Sequence, residues 1–331
     1  MGVMRDDFTE GIKKDMYGYF FEAYDPVPVL YPNIFQEEDS TGAYEKDTSV
    51  IGVGEISRKL EGEALTAHKI GEGYSTYGGN RTYGDELIIS YETVQDHQKI
   101  KDILHKAAAG WGQKMKEAKD GFFANIFNYG GLTAGHDIFN ASVAGPNGFV
   151  DPTGNGIYDG KSDAVSPLFA RNGSGKSHLS YVGQTAYYNG VALALTPANF
   201  QQVYLAITST NNKDERDGLI SIKPDTLLVP PALKFTAQVI LESERVPGSA
   251  QNDKNVLANI VSLVVWDRLS DPDAWFLVKA KMGLVCQNRQ EPVIDFYQDE
   301  HTKDYVANVI ARWGLRINNW RGIYGSNYSE A

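Results

Sequence analysis

The chain has 331 residues, 42% of them hydrophobic and 22% charged, which are the values of a folded globular protein and exclude wholesale disorder. A net charge of −11 argues against a protein that grips nucleic acid through its phosphates, since that takes clustered Lys and Arg. The single cysteine, Cys286, excludes an intramolecular disulfide, and six histidines without CxxC or HExxH spacing offer no zinc pattern.

The N-terminus, MGVMRDDFTE, has no basic region followed by an apolar stretch, and no run of 18 apolar residues occurs. Neither a signal peptide nor a membrane span is expected, and the length suits about two domains. Residues 1–47 carry eleven acidic groups against four basic ones, a net of −7. The same stretch interleaves Tyr17, Tyr19, Phe20, Phe21, Tyr24, Leu30, Tyr31, Ile34 and Phe35 with Pro26, Pro28 and Pro32. Apolar groups on a proline-stiffened strand need a surface to lie on. Residues 1–47 therefore read either as an extended arm packed on a neighbour or as a loop wrapped over the chain's own core.

Val50 to Val53 and Leu87 to Ile89 read as strands. Between them lies a polar stretch with Gly62, Gly71, Gly73, Gly78, Gly79 and Gly84, and with Asn80 at an expected turn. Few large apolar residues fall between Glu61 and Asp85, so the excursion has no core of its own and is marginal in isolation. It reads as a long two-stranded excursion, an extended β-hairpin that is either a flexible insert or an arm held by another subunit.

Ile100, Ile103, Leu104, Ala107, Trp111, Met115, Ala118, Phe122 and Ile126 recur at helical spacing. They predict one long helix from near Val94 to Tyr129, stopped by Gly130 and Gly131; about 34 residues make a rod of roughly 50 Å. From Gly130 to Gly190 there are twelve glycines in 61 residues, a loop-dominated insertion. Beyond it, Thr196 to Ile207 fits a capped helix with Pro197 in its first turn, and Leu227 to Val229 a buried strand entering a helix from Ala232 to Leu241. Ile260 to Val265 and Trp275 to Ala280 read as strands, and Tyr305 to Arg312 with Leu315 to Trp320 as a closing pair. The class is α+β, with one long helix and scattered strands.

Two stretches imitate ligand sites. Gly173-Ser174-Gly175-Lys176-Ser177 resembles the end of a phosphate-binding loop, whose backbone N–H groups and lysine hold phosphates, but the first glycine of that spacing is replaced by Ala170. Asp151 to Asp159 alternates oxygen donors like a calcium loop, yet its twelfth position is Ser162 and glycine-rich coil flanks it. Cys286 has no adjacent His. Asp96, His97 and His105 read as residues of a solvated helix face, and Glu242 and Glu244 as exposed helix-end charges. No nucleophile, base and orienter come together, so no catalytic, cofactor-binding or metal-ligating residue is assigned.

The order of several motifs carries a resemblance. Leu87 to Asp96 leading into the long helix, Phe123 to Asn128 at its end, Asp159-Gly160-Lys161 with Leu168-Phe169, Ala194-Leu195-Thr196, Ile222 to Leu233, Asn255 onward, Ala274 to Leu277, and Trp320 to Tyr324 are similar in order to the major capsid proteins of tailed phages, in particular the Mu-like major head subunit group. One departure is the stretch Ala170 to His178, where that group has a shorter Ser-containing segment before the His.

The resemblance implies a Hong Kong 97-type capsid fold. It divides the chain into an N-terminal arm (1–47), an extended loop (48–90), a peripheral domain on the long helix (91–225 and 288–331) and an axial domain (226–287). It implies a structural protein, not an enzyme, that self-assembles as pentamers and hexamers into an icosahedral shell around phage double-stranded DNA, without sequence-specific contacts and without a membrane. A portal, a decoration protein and, since the chain enters its arm almost at once, a separate scaffolding protein are the implied partners. The implied location is the virion, assembled in the host bacterial cytoplasm. An acidic wall suits a DNA container, because weak attraction to phosphate lets the genome slide. The alternatives from the residues alone are a nucleotide-binding enzyme built on Gly173 to Ser177 and a calcium-stabilised binding module.

Overall fold

A computed structural model describes residues 5–52, 56, 58–65, 67, 70–96, 100–131, 168–172, 177–180, 182, 185–245 and 253–328. In chain order the elements are α1 (Arg5–Tyr24), α2 (Tyr31–Ile34), β1 (Gln36–Asp39), β2 (Tyr44–Ile51), β3 (Gly71–Ile89), α3 (Tyr91–Asp96) and α4 (Ile100–Tyr129). They continue with β4 (His178–Leu179), β5 (Ala186–Tyr187), β6 (Gly190–Val191), α5 (Pro197–Leu205), β7 (Thr226–Val229), α6 (Lys234–Glu242), β8 (Ser262–Val265), β9 (Trp275–Val278), β10 (Leu284–Gln298), β11 (Tyr305–Ile317) and β12 (Ile323–Ser326). Two five-stranded sheets result, ordered β1-β10-β11-β3-β2 and β6-β12-β9-β7-β8.

The long helix α4 runs 30 residues, about 45 Å at 1.5 Å per residue, and buries Leu104, Ala108, Met115, Phe123, Ala124, Ile126 and Phe127. Asp120 on α4 is buried. One of its carboxylate oxygens accepts from Leu30 N (3.0 Å) and Tyr31 N (3.2 Å), the other from Trp266 Nε1 (2.9 Å). Its neighbour Lys119, also buried, donates to Asn288 Oδ1 (2.7 Å) and lies over the rings of Tyr31 and Trp313. One turn of α4 thus holds the segment after α1, strand β10 and the loop after β8.

The first half of the expected arm is not extended. Residues 5–24 form α1, whose Ile12, Met16 and Phe20 recur every four residues and bury against the chain's own α4 and β10. The prolines act after the helix: Pro26 disfavours helical geometry at Asp25, so α1 ends at Tyr24. Lys116 donates to Asp25 O (2.8 Å), and Tyr17 Oη accepts from Ile294 N (3.0 Å). Gly112 makes the close approach of the two helices feasible, since a Cβ there would lie 2.3 Å from Phe20 O.

The glycine-rich excursion is two-stranded, as expected, but its strands are placed differently. Strand β3 runs 19 residues through Asn80, which is no turn. Its first half pairs with β2, from Ile51 opposite Gly71 to Tyr44 opposite Gly79. Its second half pairs with β11, from Asn80 opposite Gly314 to Ile89 opposite Tyr305. Tyr83 stacks flat on Trp313, with ring centroids 4.0 Å apart and 4° between planes. Residues from Asn80 onward therefore belong to the central sheet, and the hairpin's last pairing is Ile51 opposite Gly71. The expected closing pair is likewise one strand, β11, which runs unbroken from Tyr305 to Ile317.

The second sheet is buried on both faces. Leu227, Val229, Trp275, Leu277 and Tyr324 face α5 and α6, where Phe200, Val203, Ala237, Ile240 and Leu241 complete a cluster. Leu228, Phe276, Val278 and Ile323 face the end of α4, where Phe127 meets Phe276 at 5.1 Å and Trp266 at 6.0 Å between centroids. The packing groups Leu195 to Ile207 with the strands after Thr226, whereas β10 runs from Leu284 to Gln298 within the first sheet. Strand β10 spans the division expected at 287/288, and α5, which precedes the one expected at 225/226, has its apolar partners in the second sheet. The capped helix itself is present: Thr196 Oγ1 accepts from Asn199 N, and Pro197 opens α5.

A Gly112→Val substitution is expected to force α1 off α4 and lower stability by about 1–3 kcal/mol. Gly110 faces open space on the exposed side of the same helix, so Gly110→Ala should raise stability by about 0.5–1 kcal/mol. Chemical denaturation of the two variants measures both.

Candidate assembly site

Clusters of apolar side chains in water are the surface feature at which a partner can bind. The hairpin of β2 and β3 carries several: Val50, Ile56, Leu60, Leu65 and Ile70 are all exposed, Ile56 at 89%. Phe235 and Val239, one helical turn apart on α6, and Val256 are exposed as well.

The hairpin leaves the sheet at a polar knot. Glu45 Oε1 accepts from Ser40 Oγ (2.8 Å), Thr41 N (3.0 Å) and Gly42 N (3.1 Å). These bonds, that of Ser40 first, hold the Glu45 carboxyl below the usual carboxylate range. Asn80 Nδ2 donates across to Ser40 Oγ (2.6 Å) and Gly42 O (2.9 Å), and Arg289 donates to Ser40 O (3.1 Å). A Cβ at Gly42 would lie 2.8 Å from Tyr44 O, so the turn is as tight as glycine permits. These bonds clamp the base of the hairpin to the sheet. At the tip end, Arg216 Nε donates to Gly52 O (3.0 Å).

A second polar node joins the far side. Asn189 is buried; its amide nitrogen donates to Leu168 O (2.8 Å) and Ile323 O (3.1 Å), while its Oδ1 accepts from Ala170 N (2.9 Å). His178 Nε2 lies 3.1 Å from both Leu168 O and Asn189 Oδ1, two acceptors, so this nitrogen carries the proton. The imidazole stacks on Trp320 at 4.4 Å, and Arg321 on the other side of that node pairs with Glu215 (2.6 Å). Burial pushes the His178 pKa down to about 4, the charge of Arg321 adding to it and the two hydrogen bonds opposing it.

Residues singled out as chemical candidates do not converge. Cys286 is buried in β10, with its thiol pushed up to about 12 by burial, which makes it unreactive. His105 lies on α4 stacked against Tyr19, with centroids 4.0 Å apart. Asp96 ends α3, and Glu242 and Glu244 are exposed at the end of α6 as expected. His97, Gly173 to Lys176, and the calcium-like stretch from Asp151 to Ser162 lie outside the described residues. Among the described residues no three His, Cys, Asp or Glu side chains are placed to hold a metal, and no helix is long and apolar enough to cross a membrane. The Glu45 knot and the Asn189 node escaped sequence reasoning, since each joins residues tens of positions apart; the Ser-Thr-Gly turn before Glu45 was the one local signal.

The architecture of long helix, protruding hairpin and second sheet is the Hong Kong 97-type fold of phage capsid subunits. The mature capsid of bacteriophage PhiM1 superposes with a TM-score of 0.54 at 10% identity, over 92% of this chain and 88% of that one. The capsid of Mycobacterium phage Che8 gives 0.51 at 10% identity over 92% and 93%, and that of cyanophage P-SCSP1u 0.50 at 9% over 92% and 89%. Residues 81–326 match the model of the phage capsid protein family, and the chain belongs to that family. No curated protein matches the sequence. The protein is a structural component of a virus shell and of the virion; the reading of a nucleotide-binding enzyme at Gly173 to Ser177 finds no support in this family.

Unfolded His178 takes up a proton near its ordinary value of 6.5, whereas the folded protein resists protonation down to about 4. The unfolded state therefore binds more protons in that window, and stability falls as pH drops from 6.5 to 4. Melting scans across this range should show the loss, with a shallower slope in His178→Gln.

Proposed function

We propose that the chain tiles an icosahedral shell around phage double-stranded DNA, as pentamers and hexamers of one subunit. The observation that carries this reading is the hairpin: its tip exposes Ile56, Leu60, Leu65 and Ile70 beyond the last paired residues of β2 and β3, while its base is clamped by Glu45 and Asn80. Ordering such a tip costs about 1–2 kcal/mol per residue in backbone entropy, and a neighbouring subunit supplies the apolar contact that offsets it.

In this reading the hairpin reaches over a neighbour, the first sheet with α1 and α4 forms the peripheral body, and the second sheet with α5 and α6 forms the axial body. The arm is then shorter than residues 1–47, since α1 packs on its own subunit. The inner wall needs no sequence-specific grip on DNA, and the net charge of −11 keeps attraction to phosphate weak. A separate scaffolding protein, a portal and a decoration protein complete the particle, which assembles in the bacterial cytoplasm. Geometry does the work, and no catalytic step is required of the subunit. Within the family, the order of motifs from Leu87 to Tyr324 supports a place in the Mu-like group.

Replacing residues 53–69 by a short Gly-Ser turn removes the tip and keeps every paired residue of β3. The variant should fold, with circular dichroism and a melting curve like those of the parent, and should fail to form particles by negative-stain microscopy and sedimentation. Normal shells from this variant would remove the hairpin tip from the assembly contacts. A deletion extended to Gly84 should unfold the protein, because it takes Tyr83 from Trp313 and strips β11 of half its partner.

A further inference from the structure

The two five-stranded sheets present four edges, and three of them are managed. Strand β1 carries Glu37, Glu38 and Asp39, and β2 carries Glu45, Lys46 and Asp47, charges that discourage a further strand. Strand β6 is two residues long and is bridged on by Arg171. The fourth edge, β8, has no such device. From Ile260 to Trp266 the chain reads Ile-Val-Ser-Leu-Val-Val-Trp, with no charge and no proline.

The hydrogen-bonding direction of β8 follows from its register. It pairs in parallel with β7, Thr226 opposite Ser262 and Val229 opposite Val265. Ser262 N donates to Asp225 O (2.8 Å) and Trp266 N to Val229 O (2.9 Å), so the even-numbered residues bond to β7. The N–H and C=O groups of Leu263 and Val265 point to the outer edge, where no strand pairs with β8 among the described residues. A groove of ≈ 360 Å³ opens beside the start of this edge, lined by Asp225, Leu241, Glu242, Asn259 and Ile260. Val256 and Ile260 add exposed apolar surface next to it.

We propose that β8 is a strand-addition edge, at which an extended segment of a second copy of this chain pairs with Leu263 and Val265 and seats side chains in the groove. The occupant is another copy because the protein belongs to a family of shell subunits, and an uncharged edge repeated on every subunit meets a copy at every contact. Main-chain bonds give such a joint its strength, and the groove gives it register. The inference rests on the shell reading.

Amide hydrogen exchange on free subunits and on intact shells, resolved to single amides, tests it. In shells the Leu263 and Val265 amides should exchange at least about tenfold more slowly than in free subunits, while Val264, bonded to β7, is protected in both. Intact shells in which Leu263 and Val265 exchange as fast as in free subunits would overturn the edge and leave the shell reading standing. If the full chain makes no particles under any condition, with scaffold or without, both fall together.

A second variant approaches the same edge. Val265→Pro removes an outward N–H without taking a bond from β7, a position at which an edge strand accepts proline. It should keep its melting temperature within about 5 °C and lose about tenfold in shell yield, each tenfold being about 1.4 kcal/mol. Normal shell yield from Val265→Pro would overturn the proposal, and where the variant fails to fold the exchange measurement decides.

Discussion

Asp120 is the point at which the separate parts of this subunit become one body. A carboxylate buried on the long helix is costly unless its oxygens are filled, and here backbone N–H groups from the segment after α1 and the indole of Trp266 fill them. The bonds run to residues 90 and 146 positions away, so the site exists only when α2, α4 and the loop after β8 are all in place. Around it the aromatic residues Tyr31, Phe35, Phe123, Phe127 and Phe276 continue the contact from the first sheet to the second. The long helix, with one satisfied polar centre in an aromatic core, thus joins the first sheet to the second.

The hairpin shows how a protruding element is tied to such a body. Strand β3 is half hairpin and half central strand, and the change of partner from β2 to β11 occurs between Gly79 and Asn80. At that junction the hydrogen bonds of Asn80, Ser40 and Glu45 close the base. Gly78 and Gly314 leave room there for the side chain of Gln287, which a Cβ at either position would touch. The glycines that give this stretch its loop-like composition are thus partly a packing requirement of the sheet. The same economy recurs at Gly130, where a Cβ would lie 2.6 Å from the ring of Phe169.

Surface chemistry is divided by purpose. Charges guard the edges β1 and β2, and apolar side chains are left in water on the hairpin tip, on α6 and beside β8. The acidic balance of the whole chain, a net charge of −11, makes copies repel one another at long range and favours solubility.

Local pattern was enough for much of the molecule. The 3.6-residue period of α4 was legible because thirty residues of consistent amphipathicity leave little choice. The Thr196-Pro197 start of α5 and the apolar runs of β7 and β9 were legible because caps and fully buried strands have local signatures. The order of these pieces carried the family. Three things were decided elsewhere. Residues 5–24 became a helix because α4 offers a notch at Gly112 and a surface for Ile12, Met16 and Phe20, whereas their charges and the prolines after them read as an arm. Strand β10 was hidden by its polar run Gln287-Asn-Arg-Gln-Glu291, which lies in the sheet only because β11 pairs with both of its halves around a bulge. That β8 is a terminal strand among the described residues is invisible to any reading of Ser262 to Val265, since whether a strand is central or terminal depends on partners from distant parts of the chain. Those partnerships are a property of tertiary structure, because hydrogen bonds between strands are assigned by topology and carry no periodicity of their own.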